Sequence, residues 1–134
     1  MNKTILLADH DPAVRRMLCR VLAGENYDVL SARDGQEALE LFRSDRVDLA
    51  LVEVGLPLES GRETFERLST ENPTLPLIIL TAQPHQIAPS LVPGVRVLME
   101  KPVDPAWLLC VIRGLLHERS ETSLGREVNE SVSQ

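Results

Sequence analysis

Asp9, His10, Glu53, Thr81 and Lys101 each stand at or just past the end of a short apolar run of the chain. Two carboxylates, an imidazole, a hydroxyl and an ammonium brought together can do several kinds of chemistry. Carboxylate oxygens hold hard divalent cations such as Mg²⁺, whereas an imidazole nitrogen suits other metals better. A His–Glu pair within reach of one another can serve as acid and base. A hydroxyl and an ammonium can steady an anionic oxygen. These residues lie far apart in the chain, so they act together only if the fold gathers the ends of their runs.

The elements that must do this can be read from spacing. Ile5-Leu6-Leu7-Ala8 is a short strand, followed by Asp9-His10-Asp11-Pro12. Asp before Pro is a helix start, with Asp11 as N-cap and Pro12 in the first turn. Val14, Met17, Leu18, Val21 and Leu22 then share one helical face, and Gly24 is the expected stop. Residues 27–30 form the second strand, and Asp34-Gly35 opens a helix carrying Ala38, Leu39, Leu41 and Phe42. The third strand covers about 49–54, and a helix follows Gly61 with Phe65 and Leu68 inward. Residues 77–80 and 95–99 are strands four and five. Asp104-Pro105 repeats the start signal, and Trp107, Leu108, Val111, Ile112, Leu115 and Leu116 line the last helix.

Between strands four and five, Pro84, Pro89 and Pro93 interrupt the fourth of five helices, which is expected to be short or irregular. Residues 120–134 lack an apolar stripe and read as a flexible tail or linker, leaving 1–119 as one domain. Alternating strands and helices with short links imply an α/β fold with a parallel sheet covered on both faces. Five units fit the flavodoxin-like, doubly wound order 2-1-3-4-5, whose ligand crevice lies beyond the carboxyl ends of the strands. All five residues named at the outset fall at that rim.

Composition narrows the function classes. A net charge of −6 argues against a nucleic-acid or anionic-membrane surface. No run is long enough to span a bilayer, and no signal peptide is expected at the N-terminus. Cys19 and Cys110 each sit in an amphipathic helix and read as reduced thiols of a cytoplasmic protein.

Four motifs in order resemble a response-regulator receiver domain of two-component signalling, chemotaxis-receiver-like, over about residues 3–118. They are the acidic cluster after strand one, Leu56-Pro57 after Glu53, Leu80-Thr81-Ala82, and Lys101-Pro102. The resemblance implies that Asp9, His10, Glu53 and the Gly55 carbonyl occupy the family's Mg²⁺ positions. It puts Glu53 where the family has a phosphoryl-accepting aspartate, with Thr81 and Lys101 supporting the phosphoryl oxygens. It also implies a cis bond at Lys101-Pro102, and places Leu98 at the switch position where many members carry an aromatic.

Two departures bear on the chemistry. Glu53 is one methylene longer than aspartate, and misplacing a reacting group by about 1 Å costs on the order of a hundredfold in rate. His10 offers nitrogen where Mg²⁺ wants oxygen. The expected function is therefore an atypical, degenerate receiver: a phosphorylation-independent protein-interaction module, not an enzyme. It needs no cofactor, and its Mg²⁺ binding is weak or absent. Its expected partner is a histidine kinase, a phosphotransfer protein or an output protein, with homodimerisation left open. One alternative is a receiver still switched by another ligand, or by pH acting on His10. Another is a flavodoxin-like small-molecule binder with His10 and Glu53 as acid and base. Against the last, the first turn lacks the glycines and N–H cradle a phosphate needs.

Overall fold

A computed structural model describes residues 2–56, 61–82 and 95–132, with side chains to residue 118. It contains β1 (Thr4–Ala8), α1 (Pro12–Gly24), β2 (Asp28–Ala32), α2 (Gly35–Ser44), β3 (Leu49–Glu53), α3 (Gly61–Glu71), β4 (Leu77–Thr81), β5 (Val95–Glu100) and α4 (Pro105–Val132). The sheet is wholly parallel in the order β2-β1-β3-β4-β5, as the alternating pattern predicts.

The apolar runs explain why β1, β3 and β4 are central. Side chains alternate across a strand, so a strand apolar at every position needs cover on both faces. Leu6, Ala8, Ala50, Val52, Leu77 and Ile79 pack with Ala38 and Leu39 of α2 and Phe65 and Leu68 of α3. Their neighbours Ile5, Leu7, Leu49, Leu51, Ile78 and Leu80 face the other way. That second layer joins Leu18 and Leu22 of α1 with Leu108 and Ile112 of α4.

Local chemistry sets the helix ends. The Asp11 side chain accepts from the Ala13 N–H at 2.9 Å, and Asp34 accepts from the Glu37 N–H at 2.8 Å. At the far end of α1, Gly24 is the last helical residue, but the left-handed residue that turns the chain is Asn26, at φ 65°. The Asn26 N–H donates to the Ala23 carbonyl and the Tyr27 N–H to the Leu22 carbonyl. This pattern closes a helix C-terminus, and asparagine tolerates it where most residues do not.

Two findings differ from the sequence reading, and one expected element lies outside the described residues. Four helices stand among the described residues, because the segment expected to hold the fifth, with Pro84, Pro89 and Pro93, lies outside them. The backbone of α4 runs helical to Val132, beyond the boundary set at 119, since helix hydrogen bonds close within the segment and need no apolar stripe. Trp107, counted among the inward residues, is 48% exposed, because it lies in the first turn of α4, away from the face that buries Leu108 and Ile112.

One close approach fixes the turn beneath the rim. A Cβ added at Gly61 would stand 2.1 Å from the Glu53 carbonyl oxygen and 2.6 Å from Val54 Cα. The Gly61 N–H donates to the Val54 carbonyl at 3.0 Å, which holds it there. Gly61→Ala is expected to destabilise the protein by about 2–3 kcal/mol in urea unfolding, because backbone must shift to admit the methyl. A loss under about 0.5 kcal/mol, the range of an innocuous surface change, would show that the turn gives way easily.

Candidate functional site

The strand registers bring the rim residues together. Ala8 pairs with Val52, so Asp9 follows β1 beside Glu53, and Glu53 itself pairs with Leu80. Thr81 ends β4 opposite Glu100, and the Lys101 N–H donates to the Thr81 carbonyl at 2.8 Å. The Lys101–Pro102 peptide is cis. Asp9, Glu53 and Thr81 are buried, whereas the His10 side chain is 57% exposed at the mouth.

Charges are apportioned oxygen by oxygen. The His10 backbone N–H donates to Glu53 Oε2 at 2.9 Å, and His10 Nδ1 shares a hydrogen bond with Glu53 Oε1 at 2.5 Å. Lys101 Nζ lies 2.7 Å from Asp9 Oδ2 and 3.5 Å from Glu53 Oε2. Asp9 Oδ1 accepts from the Asp11 N–H at 2.9 Å. Asp9 Oδ2 is fully buried and makes no hydrogen bond, so its contact with Lys101 is an ion pair outside hydrogen-bonding geometry. The His10 ring thus faces Oδ1 and Oε1, and Lys101 faces Oδ2 and Oε2, the last of which also takes the His10 backbone N–H.

The two carboxyls respond in opposite directions. Burial pushes Asp9 upward, but its contacts with Glu53 and with the Lys101 ammonium outweigh it and leave Asp9 below its ordinary range. Burial and the neighbouring Asp9 carboxylate raise Glu53. Neighbouring carboxylates repel, so ionisation of one disfavours ionisation of the other.

Asp9, His10, Glu53, Thr81 and Lys101 therefore meet at one rim. Gly55 stands close by, since a Cβ on it would lie 3.4 Å from Glu53 Oε1. Leu98 is half-buried on β5 and packs against the layer under α2 and α3. Asp9, His10 and Glu53 each offer one ligand atom, all within 4.8 Å of one another. Sequence reasoning missed Arg15, whose guanidinium donates to the Asp9 carbonyl at 2.7 Å and braces the end of β1. Its position one turn after the N-cap is the only signal, since a long side chain there can reach back over the turn.

Comparison with known proteins agrees with this geometry. Residues 5–113 match the family described as the response regulator receiver domain. The chain is 37% identical over 118 residues to the response regulator MprA of Mycolicibacterium vanbaalenii, covering 87% of this chain and 51% of that protein. It is 32% identical over 123 residues to the response regulator GtcR of Aneurinibacillus migulanus, covering 90% and 50%. The chain spans about half the length of these curated relatives. Among solved structures, a CheY-like receiver domain protein from Methanospirillum hungatei superposes with a TM-score of 0.83 at 29% identity, covering 91% of this chain and 99% of that one. TrrA of Thermotoga maritima, solved in complex with Mg²⁺-BeF, superposes with a TM-score of 0.77 at 27% identity, covering 84% and 98%.

Proposed function

The chain belongs to the response regulator receiver domain family, and on that premise we propose that it is a receiver whose site is held by its own side chains rather than set by phosphorylation. The observation that carries this is the engagement of Glu53. Oε2 already accepts the His10 backbone N–H, Oε1 already shares a hydrogen bond with His10 Nδ1, and Lys101 already pairs with Asp9. The groups that would receive and steady a phosphoryl group are occupied with one another.

The same arrangement does not suit Mg²⁺. That ion demands near-octahedral oxygen ligands, and one of the three donors at this corner is a nitrogen. Lys101 supplies positive charge to the oxygens on the opposite side. Weak or absent Mg²⁺ binding is part of the proposal.

In this reading the domain covers about residues 1–119, with the segment beyond it serving as a linker. It catalyses no reaction of its own and works in the cytoplasm. Its partner is a histidine kinase, a phosphotransfer protein or an output protein, and it touches no nucleic acid. Among the described residues no helix is long and apolar enough to cross a membrane. The small-molecule-binder expectation gives way to the family match.

Glu53→Gln tests the proposal, because it keeps the side-chain length and removes the charge. A neutral amide is a weaker acceptor than a carboxylate. Amide exchange at His10 and around residues 98–101 is expected to quicken by about tenfold, as local opening becomes easier. Identical protection in mutant and wild type would show that Glu53 is a relic that holds nothing.

A further inference from the structure

We infer that the corner formed by Asp9, His10 and Glu53 binds a borderline divalent cation of the Zn²⁺ type. This rests on the reading above, in which the donors no longer suit Mg²⁺. The donor set itself points to the ion class. Two carboxylates with one imidazole make a mixed nitrogen–oxygen set, which Zn²⁺ and its neighbours accept and Mg²⁺ does not favour.

The division of oxygens leaves room for such an ion. His10 Nδ1 faces Glu53 Oε1 at 2.5 Å and Asp9 Oδ1 at 3.9 Å. A tetrahedral ion with bonds near 2.0–2.2 Å holds its donor atoms about 3.3 Å apart, so one gap opens by about 0.8 Å and the other closes by about 0.6 Å. Lys101 need not leave, because it pairs with Asp9 Oδ2 and Glu53 Oε2 on the far side. Asp9 Oδ1 accepts one N–H, from Asp11, and keeps a second lone pair for the metal.

Charge favours the ion as well. With Lys101 present, the two carboxylates leave a deficit of positive charge when both are ionised, and Asp9 is wholly buried. The metal binds Nδ1 of the neutral imidazole, in the tautomer that carries its N–H on Nε2. His10 is 57% exposed, so the ion reaches the corner from solvent and keeps water as its remaining ligand. Once bound, it ties the end of β1 to the end of β3.

The test is titration of the wild-type chain with Zn²⁺, Co²⁺ and Mg²⁺, beside His10→Ala and His10→Asp. Any site ranks Zn²⁺ above Mg²⁺ to some degree, so the readout is the dependence on His10. His10→Ala is expected to weaken Zn²⁺ by about tenfold or more while leaving Mg²⁺ within about twofold. His10→Asp is expected to shift preference towards Mg²⁺, with wild-type secondary structure confirming that both variants fold. Co²⁺ is expected to give visible bands without sulfur charge transfer, which excludes Cys19 and Cys110 as the ligands. No Zn²⁺ binding, binding unchanged by His10→Ala, or a sulfur charge-transfer band would each overturn the inference. Acetyl phosphate labelling reads the proposed function separately. Labelling of Glu53 alongside His10-dependent Zn²⁺ binding would refute that function and keep the metal site, and the converse pair of results would do the reverse.

Discussion

Incubated with acetyl phosphate and Mg²⁺, the protein is expected to keep its unmodified intact mass. Phosphoryl transfer depends almost wholly on positioning and on stabilisation of charge, and both are altered here. Glu53 carries its carboxylate about one bond further than aspartate would, into contact with His10 rather than into open space. His10 meanwhile supplies a nitrogen to the corner where Mg²⁺ needs oxygen. The double variant Glu53→Asp with His10→Asp is expected to restore labelling, to a level on the order of a hundredfold or more above wild type. A single phosphoryl group mapped to Glu53 in the wild-type chain would sink the proposal. If the double variant stays unlabelled, the roles given to positions 10 and 53 are wrong.

Lys101→Met is expected to cause the largest loss of stability of any single change at the rim. Asp9 is wholly buried, and the Lys101 ammonium at 2.7 Å is the cation that offsets its Oδ2. Removing one partner of such a pair leaves an uncompensated buried charge, which costs about 3 kcal/mol or more. For a domain of this size that corresponds to a fall in Tm of roughly 10–20 °C. Adding Asp9→Asn to Lys101→Met is expected to recover much of the loss, because the charge that Lys101 served is then gone. Thermal unfolding of the two variants decides it. A single variant within about 1 kcal/mol of wild type would mean that water or His10 already supplies what Lys101 was assigned, as at an exposed pair.

Much of this molecule could be derived from residue order alone. The apolar runs at 5–8, 49–52 and 77–80 require cover on both faces, and that requirement makes them central strands of a parallel sheet. Asp11-Pro12 and Asp34-Gly35 start helices for reasons contained within a few residues. The gathering of Asp9, His10, Glu53, Thr81 and Lys101 followed from topology, since each ends or follows a strand. Reach across the rim was a different matter. Which carboxylate oxygen faces His10 and which faces Lys101 depends on strand register and side-chain rotamer, to within a fraction of an ångström. The bracing of β1 by Arg15 and the lack of room for a Cβ at Gly61 beside the Glu53 carbonyl are likewise set between segments. Trp107 shows the same limit from the other side, because helical periodicity marks a face but not how wide a stripe of it the sheet covers. Periodicity and capping are local and survive in a linear string, whereas the partition of charge between Asp9 and Glu53 exists only once their strands lie side by side.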